Sequence, residues 1–149
     1  MNKILISSCL LGVPVRYDGT MQQLLHPQIM TWQQQGRIIA FCPEAAGGLS
    51  TPRDPAEINN DKVISNKGDD VTAAFRLGAK KTLRVCQQYG IKFALLKESS
   101  PSCGRNTIYN GEHQGIKIAG MGLTAALLEE NGVRVFSEQQ LPALLQALA

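Results

Sequence analysis

Four cysteines are the residues of this chain best suited to chemistry: Cys9, Cys42, Cys86 and Cys103. A thiolate is both a nucleophile and a soft metal ligand. No two of them form a Cys-x-x-Cys pair, the local signature of zinc ribbons and dithiol redox motifs, so any shared site has to be assembled by the fold. Cys9 follows the apolar run Ile4-Leu5-Ile6, and Cys42 follows Ile38-Ile39-Ala40-Phe41. Cys103 lies a few residues beyond Phe93-Ala94-Leu95-Leu96, in Ser99-Ser-Pro-Ser-Cys-Gly104. Cys86 differs. It falls on a helical stripe with Val71, Ala74, Phe75, Gly78 and Thr82 and reads as a small buried hydrophobe. Three thiolates converging on one point suit a soft metal, or an iron–sulfur cluster with one open position. Three buried apolar thiols and a single nucleophilic cysteine are the competing readings, and the spacing alone leaves all three open.

Polar residues crowd the same stretches. Glu44 follows Cys42 across Pro43, where a carboxylate can act as general acid or base or simply face solvent. Ser99, Ser100 and Ser102 surround Pro101 after Lys97-Glu98, and their hydroxyls suit either a polar substrate or turn backbone. Gly47, Gly48, Gly12 and Gly104 permit close backbone approach. Arg16, Arg53, Lys97 and Arg105 are scattered without interleaved aromatics. That spacing argues against a nucleic-acid groove, while one or two of them suit a phosphate group. Two motifs nearly fit. Cys9 and Arg16 resemble a cysteine-phosphatase loop, but six residues intervene and Pro14 removes an amide. Gly120-Met-Gly-Leu-Thr-Ala125 matches a relaxed dinucleotide fingerprint. Too little chain follows it for a second nucleotide-binding half, so a tight turn with close helix–sheet packing is the simpler reading.

The elements that must position these residues are legible in the hydrophobic pattern. Strands are expected over 3–7, 37–41, 92–96 and 133–136, where apolar runs lack helical period. Helices are expected over 21–35, 70–89, 123–131 and 138–148, with Asp69 or Asp70 capping the second and Gly132 ending the third. Alternating strands and helices imply parallel pairing through right-handed crossovers. The expected fold is therefore an α/β single domain over 1–149, a three-layer sandwich with a mostly parallel, Rossmann-like sheet. Residues 43–68 are rich in Gly, Pro and Asn and read as a long irregular loop after the second strand; a further strand is expected near 116–119. In a parallel sheet, Cys9, Cys42 and Cys103 all fall beyond the carboxyl edge, where open α/β sheets bind ligands. The 149 residues, 44% hydrophobic and 18% charged, suit one core and exclude a disordered or fibrous chain. A net charge of +3 is too small to argue for nucleic-acid binding. No apolar run reaches membrane-span length, and Ile4-Leu5-Ile6 is too short for a secretory signal, so a cytoplasmic protein is expected.

Taken together in order, the motifs resemble a known family. They are Ser7-Ser-Cys-Leu-Leu-Gly12, Arg16-Tyr-Asp-Gly19, Phe41-Cys-Pro-Glu44, Gly47-Gly-Leu49, Thr51-Pro-Arg53, Pro55-Ala-Glu57, Asp70-Val-Thr72, Lys97-Glu-Ser-Ser-Pro-Ser-Cys-Gly104, Ile108-Tyr-Asn-Gly111 and Val135-Phe-Ser-Glu138. The chain resembles the thiouracil desulfidase family nearly end to end. The resemblance implies a [4Fe–4S] cluster held by Cys9, Cys42 and Cys103, with its fourth iron open to substrate sulfur. It implies Glu44 as the acid/base carboxylate, assisted by Ser100. Arg16, Arg53, Gly47, Gly48 and Ser102 are the expected substrate-binding residues. One departure is Val15, where many members carry a cysteine; three ligands remain without it. The substrate class is a thiolated pyrimidine, as base or nucleotide. A monomer or small homo-oligomer without nucleic-acid partners is expected. The rival classes are a metal-binding or redox-sensing module on the same cysteines and a nucleotide-cofactor oxidoreductase built on Gly120–Ala125.

Overall fold

A computed structural model of the chain describes residues 2–148. Its centre is a four-stranded parallel sheet of β1 (Ile4–Ser7), β2 (Ile38–Phe41), β5 (Phe93–Leu96) and β8 (Arg134–Ser137), in the order β2-β1-β5-β8. The register aligns Ile4–Ser7 with Ile38–Phe41, and Phe93–Leu96 with Arg134–Ser137. These are the four expected strands. Their continuous apolar runs follow from a sheet covered on both faces.

Successive strand residues point to opposite faces, so each strand feeds two cores. Ile4, Ile6, Leu95 and Phe136 pack with Ile29 and Trp32 of α1 (Pro27–Gln34) and with Leu141 and Leu144 of α5 (Leu141–Leu148). Leu5, Ala94, Leu96 and Val135 pack with Cys86 of α3 (Thr72–Tyr89) and with Ala125 and Leu128 of α4 (Leu123–Glu130). The result is the expected three-layer sandwich. Cys86 is buried in the second core, and desolvation alone pushes its thiol up to about 11.

Helix boundaries follow local chemistry. α1 begins only at Pro27, because proline cannot donate inside a helix and His26 caps the start by accepting the Gln28 amide at Nδ1, 3.1 Å away. The expected helix over 21–35 is therefore shorter. At α3, Asp70 accepts the amide and hydroxyl of Thr72, at 3.0 and 2.6 Å, from one residue before the N-cap. Gly90 ends α3 in the left-handed region at φ 64.

The irregular loop expected over 43–68 is more structured than its composition suggests. A one-turn helix, α2 (Pro43–Ala46), starts directly after β2 with Pro43 at its first position. An antiparallel hairpin follows, β3 (Ala56–Asn59) with β4 (Lys62–Ser65). Four-residue strands joined at Asn60, which itself adopts φ 55, are too short to establish a period in sequence. A second hairpin, β6 (Thr107–Tyr109) with β7 (Lys117–Ala119), contains the further strand expected near 116–119.

Candidate active site

In the sheet order β2-β1-β5-β8, the chain leaves β1 toward β2 in one direction and returns past it to β5. The carboxyl ends of β1 and β5 thus flank the topological switch point, where crossover connections diverge and a crevice opens. Cys9 leaves β1 in a 3₁₀ turn over Ser8–Leu11, and Cys42 sits at the N-cap of α2 just after β2. Cys103 lies in the turn after β5. All three line one cavity of about 460 Å³, together with Glu44, Ser100, Arg16 and Arg53.

The thiols sense one another. Burial, then the neighbouring Cys42, pushes the Cys9 thiol up to about 11. Burial, then Glu44, pushes the Cys103 thiol well above its ordinary value, against a hydrogen bond donated by Ser7 Oγ to Cys103 Sγ at 3.7 Å. All the cysteines are free. Ser7 also accepts the Lys97 amide at Oγ, 3.1 Å away, so one hydroxyl joins the ends of β1 and β5 at the switch point.

Among the described residues, no three His, Cys, Asp or Glu side chains close on a point as ligands of one metal ion do. Thiolates on a single tetrahedral ion stand about 3.8 Å apart, from metal–sulfur bonds of about 2.3 Å. A cubane held by one thiolate on each of three irons spreads its ligands to roughly 6–7 Å. The chemistry of the donor set suits the second case: three soft donors that follow three strand ends and line one cavity. Cys42 is half-buried, and Cys9 and Cys103 are almost fully buried, so bulk water has little access to their sulfurs.

Glu44 is held from both sides. Arg53 Nε donates to Glu44 Oε1 at 3.1 Å, with side chains only 8% and 15% exposed, and Ser100 Oγ donates to Glu44 Oε2 at 3.2 Å. Ser100 Oγ in turn accepts the amides of Ser102 and Cys103, at 3.0 and 2.9 Å. That hydroxyl therefore ties the carboxylate to the turn carrying Cys103. Arg53 is otherwise committed: Nη1 donates to the Ser50 carbonyl and Thr51 Oγ1, and Nη2 to the Val15 carbonyl. It is an anchor for Glu44 rather than a free phosphate receiver. Arg16 does line the cavity, with Tyr17 beside it and its Nη1 donating to Thr20 Oγ1 at 3.3 Å. Lys97, Lys117 and Tyr109 complete the cationic and aromatic part of the wall.

Other expected site residues lie elsewhere. Gly47 and Gly78 face each other across α2 and α3; a Cβ on Gly47 would drive into the Ala74 carbonyl, and one on Gly78 into that of Pro43. Gly48 makes a turn at φ 95 with open space around it. None of the three lines the cavity. Ser102 is fully buried, its hydroxyl 2.8 Å from that of Thr124. Arg105 turns away, its Nε 3.0 Å from both the Val135 carbonyl and Glu129 Oε1. Gly122, the N-cap of α4, brings that helix against the cysteine turn, since a Cβ there would lie 2.5 Å from the Ser102 carbonyl. The amides of Leu123 and Thr124 donate to the carbonyls of Pro101 and Ser102, both at 2.9 Å. These are the donors a pyrophosphate would need, so Gly120–Ala125 is packing and not a dinucleotide site. Glu98, which composition alone did not single out, accepts the backbone amides of Ser99, Arg105, Asn106 and Thr107; the only sequence signal was an acidic residue directly at a strand end.

Fold and cavity thus define an α/β protein with a cysteine-lined crevice and a fixed carboxylate at its switch point. The chain belongs to the 2-thiouracil desulfurase family, whose model matches residues 4–140. It is similar to a solved structure described as the [4Fe-4S]-dependent thiouracil desulfidase TudS, with 52% identity, a TM-score of 0.98 and coverage of 99% of this chain and 98% of that one. It is also 41% identical to the uncharacterized protein YbbK of Bacillus subtilis (strain 168), over 95% of this chain and 99% of the relative. No helix among the described residues is long and apolar enough to cross a membrane.

Proposed function

We propose that this protein is a [4Fe–4S]-dependent desulfidase that converts a thiolated pyrimidine base or nucleotide and water into the oxo-pyrimidine and sulfide. The observation that carries the reading is Glu44, a carboxylate fixed at both oxygens, on the wall shared by Cys9, Cys42 and Cys103. The similarity to TudS supports it. Bound by these three cysteines, the cluster supplies a soft Lewis-acid iron suited to a thiocarbonyl sulfur.

The chain's own residues supply the rest. Glu44 accepts a proton at a carboxylate oxygen from the water that attacks the ring carbon, and Ser100 and Arg53 hold that carboxylate in place. Sulfur leaves as oxygen takes its place on the carbon, so no net electron transfer is needed. Tyr17 and Tyr109 line the cavity, where aromatic rings suit a planar base, and Arg16 and Lys117 offer positive charge to the phosphate of a nucleotide, while Lys97 Nζ is already paired with Glu138 at 3.7 Å.

Anaerobic reconstitution with iron and sulfide tests the ligand set. The expected result is about four irons per chain and a broad absorbance near 400 nm. Cys9→Ser, Cys42→Ser and Cys103→Ser each lose that signal, and Cys86→Ser keeps it. Glu44→Gln retains the cluster while turnover of 2-thiouracil falls by roughly 10²–10⁴. An unchanged rate in that variant removes Glu44 from the mechanism, and absence of turnover by the cluster-loaded wild type leaves a non-catalytic metal or redox module as the better reading.

A further inference from the structure

We propose that Glu98 is the positioning residue of this site: its buried carboxylate holds the backbone of residues 99–107 in the conformation that sets Ser100 against Glu44 and Cys103 against Ser7. The inference concerns how the site is built, and its kinetic part rests on the role proposed for Ser100.

Glu98 is only 4% exposed, and its carboxylate is saturated by a single loop. Oε1 accepts the backbone amides of Ser99, Arg105, Asn106 and Thr107, at 3.2, 2.8, 3.0 and 3.2 Å. Oε2 accepts Asn106 Nδ2 at 2.8 Å. The segment leaves β5, passes through Ser100 and Cys103, and rejoins regular structure at Thr107, the first residue of β6. Both of its ends are therefore pinned to one carboxylate. Ser99 takes φ 68, a backbone conformation L side chains rarely adopt, and its hydroxyl lies 2.9 Å from that of Thr107. Glu98 is itself held: its amide donates to both oxygens of Glu138, at 3.0 and 3.2 Å, at the end of β8. Burial opposes ionisation of Glu98, but the donors from Asn106, Thr107 and Ser99 outweigh it and hold the carboxyl down to about 2.

Glutamine cannot reproduce this arrangement. Whichever position its NH₂ takes, it meets a donor, either the four amides or Asn106 Nδ2. Asn106 cannot turn its amide over freely, because Nδ2 also donates to Gln140 Oε1 at 3.0 Å. The side chain of Glu98 does not touch Ser100 or Cys103 in any of its hydrogen bonds, so its influence runs through the loop backbone.

The test compares wild type, Glu98→Gln, Ser100→Ala and the double variant, each reconstituted anaerobically and assayed with 2-thiouracil. Glu98→Gln is expected to lower kcat by 10- to 100-fold, the range for residues that orient catalytic groups, with KM within threefold. With rates expressed per loaded cluster, the double variant is expected to match Ser100→Ala within twofold, because at equal cluster occupancy the loop acts on kcat through that hydroxyl. Amide exchange of Arg105, Asn106 and Thr107 is expected to speed at least tenfold in Glu98→Gln, with Thr82 in α3 unchanged, and a chelator is expected to remove iron several-fold faster. A loss in Glu98→Gln that multiplies that of Ser100→Ala, or unchanged exchange at residues 105–107, overturns the proposal. If Glu98→Gln does not fold, Asn106→Ala removes the Oε2 contact together with the bond to Gln140, leaves the four amides on Oε1, and enters the same cycle, with a smaller loss of the same pattern expected. If Ser100→Ala alone leaves kcat unchanged, the serine's catalytic role fails, and exchange and iron retention still decide whether Glu98 positions the loop.

Discussion

Arg53 shows how a single side chain decides the geometry of the candidate site. Its guanidinium reaches Glu44, the Ser50 carbonyl and Thr51 Oγ1 close by in sequence and the Val15 carbonyl 38 positions away, so the loop after β1 and the segment carrying Glu44 meet on one cation. Arg53→Ala leaves Glu44 with Ser100 as its remaining side-chain partner. Turnover should fall roughly 10- to 100-fold with the cluster absorbance intact. Arg53→Lys restores a charge but not the planar fork, so it should recover only a minor part of that loss. Steady-state kinetics on the three proteins, with iron content measured in each, checks both statements; full recovery by lysine would mean that charge alone suffices.

At the scale of elements, the site depends on how closely α2 lies on α3. Cys42 and Glu44 ride on the start of α2, and the helix is placed by the mutual approach of Gly47 and Gly78. Gly78→Ala inserts a methyl group into the Pro43 carbonyl, so α2 must move. The expected cost is about 1–3 kcal/mol, typical of overpacking, with a drop of about 3–10 °C in Tm. Activity should fall further than stability, since Cys42 and Glu44 move with the helix. Gly48→Ala has open space but a backbone at φ 95, so strain of about 1–2 kcal/mol is its only cost. Thermal denaturation of both variants beside their turnover separates the two mechanisms: equal losses of activity would contradict the packing argument.

For the whole molecule, the sheet separates two cores, one reported by the buried Trp32. Leu144→Ala and Leu128→Ala empty fully buried positions on opposite faces. Each should cost about 2–5 kcal/mol, and their effects should add, because the sheet stands between them. Urea unfolding followed by Trp32 fluorescence measures both. Stability should also depend on pH through Glu98. Its folded pKa of about 2 lies below the ordinary 4.5, so the unfolded chain binds the proton more readily. The contribution is complete above about pH 5 and is lost as pH falls through 4.5 toward 2, with a size on the order of 2 kcal/mol. Burial pushes the Glu138 carboxyl the other way, so the useful quantity is the difference between wild type and Glu98→Gln. That difference should shrink steadily below pH 4.5; a constant gap from pH 6 to 3 would show that ionisation of Glu98 contributes nothing.

Much of this was determined by the sequence itself. Runs such as Ile4-Leu5-Ile6 and Ala94-Leu95-Leu96 bury both faces of a parallel sheet, and that alone requires helices on each side and puts Cys9, Cys42 and Cys103 beyond one edge. The family resemblance attached a chemistry to that edge. Tertiary structure decided what local pattern cannot encode. A hydrogen bond between Ser100 and Glu44 spans 56 positions, and the bond from Arg53 to the Val15 carbonyl spans 38. Such contacts leave no period or motif in either segment. The same holds for the glycines: Gly47 looked like a ligand approach, but its missing side chain accommodates a helix backbone. Strand order β2-β1-β5-β8 opens the crevice between β1 and β5, because connections leaving in opposite directions leave the carboxyl ends of these strands uncovered.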